Sequence, residues 1–554
     1  MPNIEVSLKD LETLVGKKFT KEELEVALEY VKGEIDSLAG DALKIDCKET
    51  LRPDVWSAEG IARELKARMG KEKGIKKYVV TKSKVNVFVD ENIRKVRPLI
   101  ACAIVKDVKI TEDFLKQMIQ LQEKVGEGYG RKRKETGIGI YDLDIMTPPI
   151  YYKGFKDNEI EFIPLEWKVP LRPSEILAQH EKGKAYKHLL AGTSVYPIVI
   201  DSKDIVASMP PIINSQVTGK VTENTKNLFL EVTGFNWKTV ETALEVMCMA
   251  LADRGAKIYS CNVHFPSKEK PYPAKTIATP CFDTVKLSFD KTLVEKKTGL
   301  KLKDAEIKDL LERARYNTKV DSKKVSVEYS SYRTDIMHPV DVIEDLLISY
   351  GFNNIVPEKI TMSVVGSQRK EAEYADFARE GCIGLGLQEI LTFNLTSKDI
   401  QFKGMDLDVT KEEFVEIANP VSNNFGILRK RLSPQLLSFL FKNKSQEYPQ
   451  RIFEIGTVLT LDSKEEHGVR QATNVCVAST HSNASFTEIK SILLSLCKYL
   501  GAECVVKKKA YFFLGENAAE ITVNGKKGYV GEVKKEVLDN FGLKKPVIIF
   551  EFEL

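Results

Sequence analysis

The segment Tyr332–Ile355, YRTDIMHPVDVIEDLLISYGFNNI, is the most informative stretch of this chain. It predicts a helix over Val340–Tyr350, with Pro339 in the first turn and Gly351 just past the end. At about 100° per residue, the apolar side chains of this helix fall on one face. Three acids share the opposite face: Asp341, Glu344 and Asp345. A fourth acid, Asp335, precedes the helix in an extended segment that can fold back over the same face.

Two interpretations of this acidic cluster stay open. The first is a solvated helix face, because acids are common near the positive end of a helix dipole. The second is a site for a hard cation such as Mg²⁺, which takes oxygen ligands from one or two protein carboxylates, from water and from a partner. Four carboxylates around one empty point would repel one another, so some would act indirectly or be shared with another chain.

Length and composition indicate a soluble protein of several domains. The 554 residues correspond to roughly three to four domains. A net charge of +4 permits contact with nucleic acid without requiring it. We expect a cytoplasmic protein without membrane contact, because no apolar run approaches the length of a membrane span and no export signal precedes the first strand. The nine cysteines stand singly, which predicts neither a disulfide framework nor a zinc site.

A second copy of the same pattern lies near the N-terminus. Residues 4–70 and 285–351 share an order of strand, helix, strand, a short turn and a final helix. Two pairs recur at one constant offset: Arg52 with Asp54, and Arg333 with Asp335. At that offset the first copy replaces the three helical acids by Gly60, Arg63 and Glu64. The second copy therefore carries a concentration of acids that the fold itself does not require.

The region between the copies, Lys82–Pro273, predicts a larger α/β block. Its loop GEGYGRKRKETG follows a helix and precedes a strand, whereas a dinucleotide-binding fingerprint needs the opposite order. Two interpretations of the basic stretch Arg131–Lys134 remain: solvated surface, or contact with a phosphate.

The segment Ser208–Gly234 combines a stiff double-proline bend with polar side chains. Three of these polar residues follow the bend closely: Asn214, Ser215 and Thr218. Glu231 lies within the apolar strand LFLEVTG, whose alternation allows a water-exposed position for it. If Glu231 is enclosed instead, it must find a hydrogen-bond donor, and the hydroxyl of a ligand is one candidate.

Four segments together resemble one known family. They are LRPDVWSAEGIAREL at 51–65, SMPPIINSQVTGKVTENTKNLFLEVTG at 208–234, the opening segment, and NPVSNNFGILRKRLSPQLL at 419–437. On these segments the chain resembles, over nearly its full length, the β subunits of phenylalanyl-tRNA synthetases in their shorter archaeal and eukaryotic form.

The resemblance implies a multi-domain α+β fold with four parts. A small α/β module at 1–78 and its copy at 281–357 flank a tRNA-editing domain at 79–276. A domain at 360–554 is similar to the antiparallel-sheet catalytic domain of class II synthetases but lacks working catalytic motifs. There, Pro420 matches a subunit-interface proline, and Arg451 with Glu454 matches, weakly, an ATP contact.

The resemblance also implies a function as part of a phenylalanine–tRNA ligase. The ATP-dependent joining of phenylalanine to its tRNA belongs to an α subunit, in a heterotetramer of two α and two β chains. A Mg²⁺ ion shared with the α subunit is implied at four acids: Asp335, Asp341, Glu344 and Asp345. Hydrolysis of tyrosine wrongly attached to the tRNA is implied in the central domain, with Glu231 recognising the phenol and three residues lining the pocket: Asn214, Ser215 and Thr218.

Two rival functions remain open at the level of the sequence. One is a purely structural partner subunit that binds tRNA but has an inactive pocket. The other is a free-standing tRNA-binding protein that never associates with an α subunit.

Overall fold

The computed structural model describes residues 2–362, 364–508 and 511–554. They form two compact units, Met1–Glu358 and Lys359–Leu554. No helix among the described residues is long and apolar enough to cross a membrane. All nine cysteines lie in the described part of the chain, and each is a free thiol.

The first module of the first unit is a three-stranded antiparallel sheet covered by helices. Its elements are β1 (Asn3–Ser7), α1 (Leu8–Val15), α2 (Lys21–Glu29), β2 (Gly33–Ala39), β3 (Ala42–Cys47) and α3 (Ala58–Arg68). The strand order is β1-β3-β2, so the last strand pairs with both others. Ser57 caps α3 by accepting a hydrogen bond from the backbone N–H of Gly60, as expected of a serine before a helix.

The second module repeats this topology. Its elements are β15 (Thr284–Asp290), α8 (Thr292–Thr298), α9 (Asp304–Arg313), β16 (Asn317–Val320), β17 (Lys324–Ser330) and α10 (Pro339–Tyr350). The strand order β15-β17-β16 matches that of the first module, so the sequence repeat is also a structural repeat. Pro339 begins α10 and Gly351 ends it with a φ of +89°, as the sequence predicts.

The two modules touch each other through their final helices. Arg68 of α3 donates hydrogen bonds to the backbone oxygen of Asp345 and to its carboxylate, the latter at 2.8 Å. Asp345 is therefore buried, at 6% exposure. The interpretation of the acids as one solvated helix face therefore does not hold for Asp345, because the docked first module gives α10 a second buried face.

The central block is built on one mixed sheet. Its strands are β4 (Val80–Thr81), β5 (Asn86–Val89), β6 (Leu99–Lys106), β7 (Thr136–Asp142), β8 (Ile150–Phe155), β9 (Tyr196–Ile200), β10 (Val206–Met209), β11 (Ile213–Asn214), β12 (Leu228–Gly234), β13 (Lys257–His264) and β14 (Thr276–Thr279). The path is β11-β10-β9-β8-β5-β13-β6-β12-β7, with β4 and β14 also paired to β13. Its helices are α4 (Glu112–Lys124), α5 (Pro173–Gln179), α6 (Glu181–Tyr186) and α7 (Trp237–Asp253).

Strand β12 lies in the interior of this sheet, between β6 and β7. Helix α7 packs against both β6 and β12, and every residue of β12 is buried. A strand covered on both faces does not alternate between wet and dry sides. The water-exposed interpretation of Glu231 is therefore wrong: this side chain is 2% exposed.

The second unit packs helices against a seven-stranded sheet with the order β18-β21-β22-β26-β25-β24-β23. Its helices are α11 (Lys370–Gly384), α12 (Ser433–Lys442), α13 (Phe486–Tyr499) and α14 (Lys535–Phe541). Its strands are β18 (Gln388–Glu389), β19 (Leu395–Thr396), β20 (Ile427–Leu428), β21 (Gln450–Leu461), β22 (Val469–Thr480), β23 (Cys504–Lys508), β24 (Leu514–Val523), β25 (Lys526–Val533) and β26 (Val547–Glu553). All its pairings are antiparallel except that of β18 with β21. The segment QEILTFNL at 388–395 does not form one long strand, because it contains only β18 and the first residue of β19.

Candidate functional site

The centre of the larger site is Glu231, in the middle of β12. Its Oε1 atom accepts a hydrogen bond from the Tyr141 hydroxyl at 2.8 Å, and that hydroxyl lies 2.7 Å from Oγ of Ser208. Its Oε2 atom is buried and has no hydrogen-bond partner in the described part of the chain. Burial raises the pKa of Glu231 to about 7, although the Tyr141 hydrogen bond and the charge of Arg97 act in the opposite direction. The site thus holds a carboxyl group with one acceptor position to spare.

A pocket of about 450 Å³ adjoins Glu231. Helix α4 contributes apolar side chains to one wall, including Leu115 and Met118. The opposite side contains Pro210 and Pro211, which are joined by a cis peptide bond. The volume and the mixed lining suit a small ligand with an apolar body and a polar end.

Asn214 is the second predicted residue that lines this pocket. Its side-chain amide donates to the backbone oxygen of Ile140 at 3.2 Å, which fixes the side chain against β7. Gly219 permits the close turn here, because a Cβ atom on it would lie 2.5 Å from Cβ of Asn214.

Ser215 and Thr218 are buried but do not line the pocket. The Ser215 hydroxyl accepts a hydrogen bond from the backbone N–H of Val217. The Thr218 hydroxyl donates to the backbone oxygen of Ala207 at 3.4 Å. The structure thus places these two hydroxyls as braces of the bend behind Asn214, where they cannot contact a ligand in the pocket.

Sequence reasoning missed Tyr141, Ser208 and Arg97. Arg97 is fully buried and donates to the hydroxyl and backbone oxygens of Thr233. Burial lowers the pKa of Arg97 to about 10. A signal for Tyr141 existed in GIGIYDLD, because alternate glycines in a strand mark a close approach of another group.

The acidic cluster of the second module lines a separate cavity of about 200 Å³. All four predicted acids line it: Asp335, Asp341, Glu344 and Asp345. Residues of the first module, including Lys32, Glu49 and Arg52, line it as well. Among the described residues, however, no three carboxylate, imidazole or thiol groups converge as a metal site does.

Two of the four acids, Asp335 and Asp345, are held by arginines of the chain. Asp335 accepts hydrogen bonds from Arg333 at 2.9 and 2.6 Å. Asp345 accepts from Arg68 on Oδ1, and from Arg333 and Tyr316 on Oδ2. Burial alone would raise the pKa of Asp345, but the nearby arginines hold it well below its usual value. Both oxygens of Asp345 are thus engaged, so this residue does not fit a direct metal ligand in this arrangement.

Asp341 and Glu344 each keep one carboxylate oxygen without a partner in the part of the chain that the structure describes. Oδ2 of Asp341 caps its own helix by accepting the backbone N–H groups of Met337 and His338, and its Oδ1 stays available. Glu344 is half-exposed and forms an ion pair of 3.0 Å with Lys32. A Mg²⁺ ion needs only one or two protein carboxylates when water and a partner supply the other oxygens, and this pair fits that requirement.

The first module contains the same arginine–acid arrangement without the cavity acids. Arg52 binds Asp54 at 2.8 Å and lies 3.2 Å from Glu64, as Arg333 binds Asp335 and Asp345. The shared contacts explain why the motif Arg-x-Asp recurs in both copies: it ties the turn to the final helix. Position 60 is glycine because a Cβ atom there would lie 1.8 Å from the backbone oxygen of Asp54.

The second unit uses its matching residues internally. Glu454 is buried and binds Arg429 at 2.5 Å. Arg451 points elsewhere and pairs with Glu488 of α13 at 3.2 Å. Three positions apart on β21, Arg451 and Glu454 face opposite sides of the strand and cannot hold one nucleotide together.

Comparisons with known proteins agree with this architecture. Residues 287–352 match the tRNA synthetase B5 domain, and residues 355–554 match the phenylalanyl tRNA synthetase beta chain CLM domain. The first unit is similar to the crystal structure of an N-terminal fragment of the phenylalanyl-tRNA synthetase β-subunit from Pyrococcus horikoshii, with 45% identity and a TM-score of 0.60. That match covers 63% of this chain and all of the fragment.

Full-length relatives give the same result. The chain is 43% identical over 560 residues to the phenylalanine–tRNA ligase β subunit of Thermococcus sibiricus, covering 100% of this chain and 98% of the relative. It is 35% identical over 557 residues to the corresponding subunit of Archaeoglobus fulgidus, again covering 100% and 98%. With the fold, the two modules and the full-length matches in agreement, the chain belongs to the family of phenylalanine–tRNA ligase β subunits, and it is therefore a subunit of an aminoacyl-tRNA synthetase.

Proposed function

We propose that this chain is the proofreading subunit of a cytoplasmic ligase that contains two α and two β chains. The α subunit joins phenylalanine to its tRNA with ATP. The Glu231 pocket of the β chain hydrolyses tyrosine that has been attached to that tRNA in error. One observation carries the proposal: Oε2 of Glu231, a buried carboxyl oxygen without a hydrogen-bond partner among the described residues, lies beside a pocket of about 450 Å³.

Selectivity for tyrosine follows from this unpartnered oxygen. The phenol of a tyrosyl ester donates a hydrogen bond to Oε2, whereas phenylalanine leaves the buried acceptor unpaired. A site that hydrogen-bonds a substrate hydroxyl rejects the analogue without it by factors of about 10⁴–10⁵. Tyr141 already forms the same kind of contact on Oε1, so the carboxyl group is positioned to bind a phenol on each oxygen.

Hydrolysis proceeds by direct attack of water on the ester carbonyl, releasing tyrosine and the free ribose hydroxyl. His180 lines the pocket, but one of its ring nitrogens faces the backbone oxygen of Leu165 and the other accepts the backbone N–H of Lys182. Neither nitrogen is available as a general base. We assign activation of the water to backbone groups and to the adjacent ribose hydroxyl of the substrate.

The deciding experiment is deacylation of Tyr-tRNA and Phe-tRNA by the complex of this chain with its α subunit. We expect Glu231→Ala to lose hydrolysis of Tyr-tRNA or its preference over Phe-tRNA. Glu245→Ala is the matched control, because Glu245 is also buried with both oxygens unpartnered but does not line the pocket. A Glu231→Ala complex as active and selective as wild type would favour the purely structural subunit.

The cavity between the modules supports a second part of the proposal, a Mg²⁺ ion at the boundary with the α subunit. Asp341 and Glu344 would bind it directly, and Asp335 and Asp345 would act through Arg333, whose guanidinium they hold. The ion supplies positive charge that joins carboxylates of this chain to oxygens of the partner.

The metal test uses the paired change Asp341→Asn with Glu344→Gln. We expect the complex to lose bound Mg²⁺ by elemental analysis and to dissociate more readily in size-exclusion chromatography. Glu295→Gln with Glu306→Gln removes two exposed acids of the same module outside the cavity and should change neither. If the Asp341→Asn, Glu344→Gln variant keeps its metal content and its assembly, these two acids do not bind Mg²⁺ and belong to a solvated surface.

A further inference from the structure

The basic turn, Arg131–Lys134, has an uncommon backbone. Three consecutive residues adopt left-handed φ angles: Arg131 at +49°, Lys132 at +55° and Arg133 at +61°. None is glycine, and for an L-residue this conformation costs about 1–2 kcal/mol. Such strain persists only where the surrounding structure fixes it, and it is concentrated at functional sites.

The surrounding contacts fix this turn to the wall of the Glu231 pocket. The backbone N–H of Arg133 donates to the oxygen of Gly126 at 2.8 Å, and that of Lys132 donates to Glu127 at 2.9 Å. The Arg133 guanidinium donates to the backbone oxygens of Pro211 and Ile212, at 3.2 and 3.1 Å, and stacks on Tyr186. Arg133 is therefore part of the pocket wall, and it anchors the rest of the turn there.

The left-handed course turns the remaining cations of the turn toward solvent. Arg131, Lys132 and Lys134 are exposed, and their side chains have no hydrogen-bond or ion-pair partner in the described part of the chain. Lys220 also lines the pocket. Lys182 lines it too, but pairs with Glu123 at 3.0 Å, so its charge is partly neutralised. Free positive charge thus lies on the turn whose Arg133 lines the pocket.

We propose that the basic turn binds the phosphate backbone at the single-stranded end of the RNA whose terminal ester enters the Glu231 pocket. This inference rests on the proposed proofreading function and adds the group that holds the RNA end in place. Arg133 anchors the turn to the double-proline wall, while Arg131 and Lys132 contact phosphates. Phosphates follow one another along a single strand, so neighbouring cations next to Arg133 match a chain whose end enters the pocket.

The test measures binding of a fluorescent RNA minihelix, an acceptor stem with a single-stranded 3′ end, to the full chain at several salt concentrations. Arg131→Ala with Lys132→Ala should weaken binding by about tenfold at low salt. It should also lower the slope of log affinity against log salt by about 1.4, since each phosphate contact on a single strand contributes about 0.7. Lys82→Ala with Lys84→Ala removes two exposed charges of the same domain outside the pocket and should leave both quantities unchanged.

A second measurement separates this inference from the function on which it rests. Tyrosyl-adenosine carries the ester but no phosphate, so the Arg131→Ala, Lys132→Ala variant should hydrolyse it at the wild-type rate. The inference is overturned if the Arg131→Ala, Lys132→Ala variant binds the minihelix with the same affinity and salt slope as the control variant. It is also overturned if this variant loses tyrosyl-adenosine hydrolysis, because the turn would then only support the pocket. If wild type hydrolyses neither tyrosyl-adenosine nor Tyr-tRNA while minihelix binding still depends on the turn, the proofreading function fails and only the binding of RNA phosphates by the turn stands.

Discussion

A Cβ atom at position 139 would lie 2.0 Å from the hydroxyl oxygen of Tyr141 and 2.6 Å from Oε1 of Glu231. Gly139 pairs directly with Glu231 across the sheet, so its missing side chain provides the space in which the carboxyl and the phenol meet. The backbone of Gly139 does not have a positive φ angle. The requirement for glycine here is therefore one of space.

We predict that Gly139→Ala disrupts the pocket. The added methyl group forces Tyr141 and Glu231 apart, which should destabilise the first unit by about 1–3 kcal/mol and abolish selective Tyr-tRNA hydrolysis. Gly515→Ala, in the second unit, is the control for Tyr-tRNA hydrolysis, because a Cβ there would meet its nearest neighbour at 3.7 Å. Tryptophan fluorescence during denaturant unfolding measures the loss, since all three tryptophans, Trp56, Trp167 and Trp237, lie in the first unit. Wild-type stability and selectivity for Gly139→Ala would contradict the assigned contact.

The raised pKa of Glu231 predicts a pH dependence of stability. Below about pH 4.5 the carboxyl group is protonated in both folded and unfolded chains. Between that pH and about 7 the unfolded chain ionises while the buried group stays protonated, so wild type loses stability relative to Glu231→Gln as pH rises. The loss should reach about 3 kcal/mol near pH 7 and stay constant above it.

Unfolding monitored by tryptophan fluorescence at several pH values tests this dependence. Glu29→Gln, which removes an exposed carboxylate, controls for the loss of one negative charge. A difference between wild type and Glu231→Gln that is constant from pH 4 to pH 8 would show that Glu231 ionises as freely in the folded chain as in the unfolded one.

Helix α10 shows how one element serves two interfaces. Its inner face packs in the core of the second module with Val342, Ile343 and Leu346. Its second buried side presents Asp345 and Ser349 to Arg68 of the first module. A single apolar stripe in the sequence predicts only the first interface, because contacts made by buried ion pairs leave no hydrophobic periodicity.

We predict that Arg68→Ala destabilises the first unit by about 3 kcal/mol, because it removes one partner of the buried Asp345 carboxylate. Lys73→Ala is the matched control. It breaks another ion pair between the two modules, Lys73 with Asp309, whose side chains are about one-third exposed, and exposed pairs contribute about 0–1 kcal/mol. Both values come from denaturant unfolding of the full chain, and equal effects of the two variants would contradict the role given to Asp345.

At the scale of the whole molecule, the division into two units predicts separable folding. A chain of residues 1–358 should be soluble and should unfold with the same tryptophan fluorescence transition as the full chain, because both small modules and the central sheet lie within it. It should also hydrolyse tyrosyl-adenosine if the pocket acts as proposed. An unfolded fluorescence spectrum for this fragment would show that the second unit is needed for the first to fold.

Much of this architecture was predictable from the sequence. The repeat was visible because each copy must build the same small core, and the same Arg-x-Asp contact ties its turn to its last helix. The bounds of α10 followed from helix periodicity, a leading proline and a terminal glycine. Ser208–Gly234 stood out because a double-proline bend, several polar side chains and an acid in an apolar strand lie close together in the sequence.

The sequence by itself thus determined many of the helices and strands, the repeated small module, and the polar residues within Ser208–Gly234 and Tyr332–Ile355. Only the tertiary structure decided which of those groups face a cavity. Glu231 and Asn214 face the pocket, whereas Ser215 and Thr218 turn into the bend. Asp345 is held by Arg68, a residue of the other module. The physical reason is that burial and pairing of a charge depend on groups far away in sequence, and no local pattern specifies them.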